Sequence, residues 1–210
     1  MEKDTLVKYI LDDKIWKYAY ETEESSWEYA KKSSDELLEK GKIKEPIDKA
    51  FFIRRRELGR RARKIIEKCL KGEIPCAVTH TQLDQFRRLA IVHGEEYPEF
   101  YRMVEDMGML EVHGKFDEKL YEKCLDFMYE LGKVPKGEYE RLCLLAGYAT
   151  EDAKIVTMDK LLYGFLKARG KGILFDDFYR EVTGEEVEDI DSWMQDLMFQ
   201  IKEYLRYKGK

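Results

Sequence analysis

The sequence has no run of apolar residues long enough to span a membrane, and no signal peptide precedes its first predicted strand. We therefore expect a cytoplasmic protein without membrane contact. Cysteine is scarce, and no two cysteines form a Cys-x-x-Cys pair, which argues against a structural zinc site. In a reducing compartment the expected state is four buried free thiols, at Cys69, Cys76, Cys124 and Cys143.

Several catalytic and nucleotide-binding motifs are absent as well. Neither a Gly-x-x-x-x-Gly-Lys-Ser/Thr loop nor a Gly-x-Gly-x-x-Gly loop occurs, so binding of nucleoside triphosphates and dinucleotides is not favoured. No Ser–His or Cys–His arrangement indicates nucleophilic catalysis. Charged residues make up 39% of the chain, against about a quarter in ordinary domains, which resembles a thermophile surface. The net charge of −5 gives no global argument for nucleic-acid binding.

Five short apolar segments, separated by segments with helical periodicity, are predicted to be β-strands. They cover residues 6–11, 74–78, 109–113, 153–156 and 173–175. This alternation favours a mostly parallel sheet that helices cover on both faces. Because no linker is visible, we predict one domain over residues 1–210, with a helical insertion at 14–50 and a C-terminal helical extension at 178–210.

Acidic residues follow the ends of several predicted strands. Three of the strands end in an aspartate, at Asp12, Asp159 and Asp176. A fourth aspartate, Asp84, lies just past the end of another strand, and Glu138 and Glu140 precede the helix before the fourth strand. The carboxyl ends of parallel strands share one edge of the sheet, so we expect these acids to converge there. Clustered carboxylates repel unless a metal or proton offsets them, and Mg²⁺ and Mn²⁺ prefer oxygen ligands. Each aspartate alone could instead cap the following helix.

The order of these motifs resembles that of PIN domains, which are metal-dependent ribonucleases. Their fold is a three-layer α/β/α sandwich around a parallel sheet of four or five strands. Here the first strand ends in Asp12, an acidic pair lies in Gly137-Glu-Tyr-Glu140, and the fourth strand runs into Thr157-Met-Asp159. The resemblance covers roughly residues 5 to 175.

The resemblance implies an endoribonuclease that hydrolyses the phosphodiester bonds of RNA with a metal-activated water. Mg²⁺ or Mn²⁺ would be the cofactor, and Thr157 would orient a ligand or a bound water. The implied metal ligands are Asp12, Asp159 and one of Glu138 and Glu140, with Asp84 joining them if its helix register allows.

Two departures from the family pattern favour an alternative. The residue that aligns with the second family acid is Gln85, and the acid itself, Asp84, comes one position earlier. After Asp12 the family often has Thr or Ser and then Asn, whereas Asp13 and Lys14 stand here. The alternative is a catalytically weak or inactive PIN-like module that binds RNA or a protein.

A basic cluster in the predicted helix over residues 47–70 is a candidate contact for the RNA backbone, since arginine suits bidentate phosphate recognition. Its members are Arg54, Arg55, Arg56, Arg60, Arg61 and Arg63. A solvated helix face explains the cluster equally well. The amphipathic segment 189–207 indicates a third possibility, a helical interaction protein that docks a partner or a second copy. The expected partners are thus RNA, a protein such as an antitoxin, or a homodimer mate.

Overall fold

A computed structural model describes residues 7–20, 45–134 and 136–187 of the chain. Its sheet has five strands, all parallel, in the order β3-β2-β1-β4-β5. The strands are β1 Lys8–Leu11, β2 Cys76–Thr79, β3 Glu111–His113, β4 Ala153–Thr157 and β5 Gly172–Leu174. Helices flank the sheet on both faces, so the predicted three-layer α/β/α architecture is confirmed.

Eight helices are described, and several begin at a residue that can accept backbone hydrogen bonds. Thr79, at the start of the helix after β2, forms a capping box with Gln82. Asp117 and Asp159 cap two further helices through their side chains. The helices are α1 Asp13–Tyr20, α2 Glu45–Leu70, α3 His80–His93, α4 Glu99–Gly108, α5 Glu118–Glu130, α6 Glu138–Gly147, α7 Lys160–Lys167 and α8 Phe175–Thr183.

The strands are buried on both faces, as expected of a parallel sheet between two helical layers. Side chains alternate across a strand, so Leu11 and Val156 enter one apolar core while Ile10 and Ile155 enter the other. Helices α1, α2, α3, α4 and α8 contribute to the first core, and α5, α6 and α7 to the second.

The segment predicted as a helical insertion, 14–50, begins with a core helix. Trp16 of α1 is fully buried, and α1 packs against α2. Residues 21–44 lie outside the described residues, as does the predicted amphipathic segment 189–207. Within the described ranges, no helix is both long and apolar enough to cross a membrane.

The prediction of four free thiols is wrong for one pair. Cys69, near the end of α2, and Cys76, at the start of β2, form a disulfide with a Cα–Cα distance of 5.4 Å. The turn between α2 and β2 reverses the chain at Gly72, whose φ of +70° suits glycine, and this brings the two cysteines within bonding range. Cys124 and Cys143 are free and buried, as predicted.

Candidate functional site at the carboxyl edge of the sheet

The strand order reverses between β1 and β4, because the chain adds β2 and β3 on one side of β1 and then β4 and β5 on the other. Ligands of open α/β sheets bind outside the carboxyl ends of the strands at such a switch point. Asp12 directly follows β1, and Thr157 ends β4. The candidate site is the group of side chains around these two strand ends.

Asp12 is a buried carboxylate whose two oxygens are both occupied by protein donors. Asp12 is only 2% exposed to solvent. Oδ1 accepts hydrogen bonds from the backbone N–H of Lys14 at 2.8 Å and of Ile15 at 3.1 Å. Oδ2 accepts from the Met158 N–H at 2.7 Å and from the Thr157 hydroxyl. Burial raises the pKa of Asp12, and the hydrogen bonds from Thr157, Met158 and Ile15 oppose that rise.

Thr157 and Asp159 form one hydrogen-bonded unit at the end of β4. The buried Thr157 Oγ1 accepts from the Asp159 N–H at 2.9 Å while its hydroxyl donates to Asp12. Asp159 Oδ1 in turn accepts from the N–H groups of Leu161 and Leu162, both at 2.9 Å, and so caps α7. Asp159 therefore caps a helix, which is the alternative role that the sequence allowed for it. Asp12 does the same for α1, because it accepts hydrogen bonds from the N–H groups of Lys14 and Ile15.

Lys14 lies among the acids. Its Nζ is 2.7 Å from Glu138 Oε1 and 3.8 Å from Asp159 Oδ2. Partial burial acts to lower the pKa of Lys14, but the hydrogen bond and charge of Glu138 and the charge of Asp159 raise it above its ordinary value. The Lys14 hydrogen bond lowers the pKa of Glu138. Both groups are therefore ionised at neutral pH.

Two of the predicted site acids point elsewhere. Asp84 is exposed, and its Oδ1 lies 3.8 Å from the Arg87 guanidinium. Glu140 is exposed and does not line the pocket at the strand ends, which Glu138 does. Since each step along a helix turns a side chain by about 100°, two residues of one helix rarely reach the same point unless they are three or four apart.

Gln82 is the residue of α3 that faces the site, and sequence reasoning missed it. It is 4% exposed, and its Nε2 donates to the Leu11 carbonyl at 2.7 Å and to Asp13 Oδ1 at 3.1 Å. Its Oε1 accepts from the Thr79 N–H at 3.1 Å. The pattern Thr79-x-x-Gln82 is a capping-box signature, so the sequence did hold the signal for this residue.

A pocket of about 180 Å³ opens beside these groups. Three of its lining residues are cationic, two from α1 and one from α6, and they face three acids. The cations are Lys14, Lys17 and Arg141, and the acids are Asp12, Asp13 and Glu138. The charges of Arg141 and Lys17 also lower the pKa of Glu138, after the larger effects of Lys14.

The predicted basic cluster of α2 is largely engaged within the protein. Arg61 is 3% exposed, and it contacts Glu57 at 3.0 Å and Asp176 at 3.3 Å. Arg60 pairs with Glu57 at 2.8 Å, and Arg63 donates to the Ala19 carbonyl at 3.0 Å. Arg54, Arg55 and Arg56 also have interaction partners. These contacts include the predicted strand-end acid Asp176, which lies in the first turn of α8.

The donors at the strand ends do not fit a resident divalent cation as they are arranged. Mg²⁺ needs several oxygen ligands in near-octahedral geometry, but protein donors fill both oxygens of Asp12 and an ammonium lies between Glu138 and Asp159. In the part of the chain that the structure describes, no group of three or more His, Cys, Asp or Glu side chains is suited to hold a metal ion.

Comparison with known proteins neither supports nor opposes the interpretation of the motif order and the site geometry. No protein-family model matches the chain, and neither a curated protein nor a solved structure matches it.

Proposed function

We propose that the chain is a PIN-like module that binds RNA at the pocket between α1 and α6, through the cationic side chains on its rim. The observation that carries the proposal is the position of Lys17 and Arg141. Both line a pocket at the topological switch point, and both lie near enough to Glu138 to lower its pKa. The order of Asp12, Gly137-Glu-Tyr-Glu140 and Thr157-Met-Asp159 supports the PIN-like part of the proposal.

The two rim cations differ from Lys14 in their contacts. Lys14 is held in an ion pair by Glu138, whereas no direct ion pair joins Lys17 or Arg141 to a carboxylate among residues 7–20, 45–134 and 136–187. Arg141 is exposed, and a guanidinium can hold two phosphate oxygens at once. Lys17 adds a second positive charge from the facing helix. This pair can contact the backbone of a single strand without reading its bases.

RNA binding is tested with a fluorescently labelled single-stranded RNA, by anisotropy in EDTA at several salt concentrations. In single strands each lost phosphate contact reduces the slope of log K against log salt by about 0.7. The double variant Lys17→Gln, Arg141→Gln should therefore bind more weakly and show a slope smaller by about 1.4.

A charge-matched control is Lys119→Gln, Lys123→Gln, which removes two exposed cations from α5, away from the pocket lining. It should leave the salt slope unchanged. If the two double variants lose affinity equally, or if the wild-type protein binds no RNA, the proposed interface is wrong.

The second candidate is the metal-dependent endoribonuclease, which the contacts of Lys14 with Asp12, Glu138 and Asp159 support. Incubation of the wild-type protein and Asp12→Asn with single-stranded RNA and Mg²⁺ or Mn²⁺ separates the candidates. Cleavage by the wild-type protein that Asp12→Asn loses would favour the nuclease, and equal products from both would count against this site.

A further inference from the structure

Three acids from separate parts of the chain meet at the carboxyl edge of the sheet. Asp12 follows β1, Glu138 opens α6, and Asp159 caps α7. Carboxylates brought together in this way repel unless a cation or a proton offsets their charge. A positive charge is present among them, since the Lys14 ammonium lies 2.7 Å from Glu138 Oε1 and 3.8 Å from Asp159 Oδ2.

We infer that the Lys14 ammonium is a tethered counter-ion that takes the place of a divalent cation at this site. The inference goes beyond RNA binding and does not depend on it. It predicts that the wild-type protein has no specific divalent-cation site at the strand ends, and that removing this one ammonium creates such a site.

The backbone holds Lys14 in position for this role. Its N–H donates to Asp12 Oδ1 at 2.8 Å, so the residue that neutralises the acids also belongs to the turn that caps α1. Asp12 therefore holds the backbone of Lys14, while the ammonium of Lys14 offsets the charges of Glu138 and Asp159. Asp12 also contributes to the raised pKa of Lys14, although Glu138 and Asp159 contribute more.

Oxygen atoms are available for a cation once the ammonium is gone. Asp159 uses Oδ1 to cap α7, whereas Oδ2 faces Lys14. Glu138 is half-exposed and its Oε1 faces the same ammonium. Two carboxylates with solvent access are enough for Mn²⁺ or Mg²⁺, which keep several waters when they bind to proteins. Asp12 and Asp13 also line the pocket, as do the two rim cations Lys17 and Arg141.

The experiment compares the full-length wild-type protein with Lys14→Met by calorimetric titration with Mn²⁺ in the absence of RNA. We expect no saturable binding by the wild-type protein at millimolar Mn²⁺, and one bound ion with at least tenfold higher affinity in Lys14→Met. At Mn²⁺ concentrations of about 100 times the dissociation constant, the Tm of Lys14→Met should rise by roughly 5–10 °C.

Lys115→Met is the matched control, because Lys115 also pairs with a carboxylate, that of Asp152, but does not line the pocket. It should behave like the wild-type protein toward Mn²⁺. A specific Mn²⁺ site in the wild-type protein, or an affinity in Lys14→Met no higher than in Lys115→Met, would overturn the inference.

Loss of the ammonium could also prevent folding, so Lys14→Gln provides a second variant that keeps a hydrogen-bond donor without the charge. Circular dichroism with and without Mn²⁺ then shows whether each variant is folded. If either variant folds only when Mn²⁺ is added, the inference holds, because the ion has replaced the ammonium. If both stay unfolded at millimolar Mn²⁺, the ammonium is not acting as a counter-ion that a divalent cation can replace, and the inference fails. Neither result bears on the proposal that the wild-type protein binds RNA.

Discussion

The hydroxyl of Thr157, at the end of β4, donates a hydrogen bond to the carboxylate of Asp12, which lies 145 positions earlier at the end of β1. Thr157 has no exposed surface and Asp12 is 2% exposed. The bond therefore joins the central strand β1 to its neighbour β4 beside the pocket. The same hydroxyl oxygen accepts from the Asp159 N–H, so a single side chain sets the positions of two of the three acids.

Replacing Thr157 with valine should destabilise the protein. Thr157→Val keeps the shape of the side chain but leaves Asp12 Oδ2 and the Asp159 N–H each without one partner. Because one of the lost bonds has a fully buried acceptor, the free energy of unfolding should fall by about 2–3 kcal/mol. Urea denaturation measures the loss. Thr157→Ser retains the hydroxyl and should lose only about 1 kcal/mol for the missing methyl group. Equal losses in the two variants would show that the hydroxyl contributes nothing.

Gln82→Glu tests the contact that α3 makes with the site. The introduced carboxylate would face the Leu11 carbonyl and the Asp13 carboxylate in place of an amide donor. An unpaired buried charge should cost more than about 3 kcal/mol of stability at neutral pH. Burial and the charge of Asp13 would raise the pKa of the new carboxyl group, so the penalty is complete above its folded pKa and is relieved as the pH falls from there to its unfolded pKa.

Gln85→Glu is the control for this substitution, since it adds the same charge to a partly exposed position of the same helix. Its effect on the free energy of unfolding should stay within about 0.5 kcal/mol at every pH. Urea denaturation at neutral and acidic pH distinguishes the two variants. A similar loss in both, or a loss in Gln82→Glu that does not depend on pH, would contradict the role assigned to Gln82.

Much of the fold could be predicted because its causes are local. Buried parallel strands are short apolar runs, and Asp12, Thr157 and Asp159 follow such runs, so the parallel sheet alone brings them to one edge. The site acids on helices were harder to place. Asp84 and Glu140 each lie within two residues of a side chain that does face the site, and a helix turns by about 100° per residue.

The burial of Arg61 and the Cys69–Cys76 disulfide depend on tertiary contacts, which cannot be inferred from composition. Arg61 belongs to a run of basic residues that is typical of a solvated or RNA-binding face, yet packing against α8 buries it beside Asp176. Cys69 and Cys76 pair because the turn between α2 and β2 reverses the chain direction, which their spacing alone does not reveal. In both cases the deciding contact is made by a neighbouring element rather than by the residue's own segment.

Reduction of the Cys69–Cys76 disulfide should lower stability by a modest amount. The bond closes a short loop, with a sequence separation of 7, and the chain-entropy relation gives about 2.5 kcal/mol for a loop of this length. Urea denaturation of the wild-type protein with and without dithiothreitol measures the difference. In the double variant Cys69→Ser, Cys76→Ser the reductant should have no effect, since Cys124 and Cys143 are already free. A wild-type protein that is indifferent to reductant would contradict this prediction.

His113 should make the protein less stable as the pH falls. It is 5% exposed, and its Nε2 lies 3.3 Å from Thr150 Oγ1. The Thr150 hydroxyl donates its proton to Asp152 Oδ1 at 2.6 Å, so Nε2–H of His113 must be the donor in the contact with Thr150. Burial lowers the pKa of His113, with the charges of Lys8 and Lys115 adding to the effect and that of Asp152 opposing it.

The sign follows from which state binds the proton first. Below the unfolded pKa of about 6.5 the unfolded chain takes up a proton at His113 before the folded protein does, so the free energy of unfolding declines from there down to the folded pKa. His113→Gln keeps an N–H donor for Thr150 but cannot titrate. Urea denaturation between pH 8 and pH 5 should therefore show a steeper decline in the wild-type protein than in His113→Gln. Curves that run parallel over this range would mean that His113 binds its proton equally well in the folded and unfolded states.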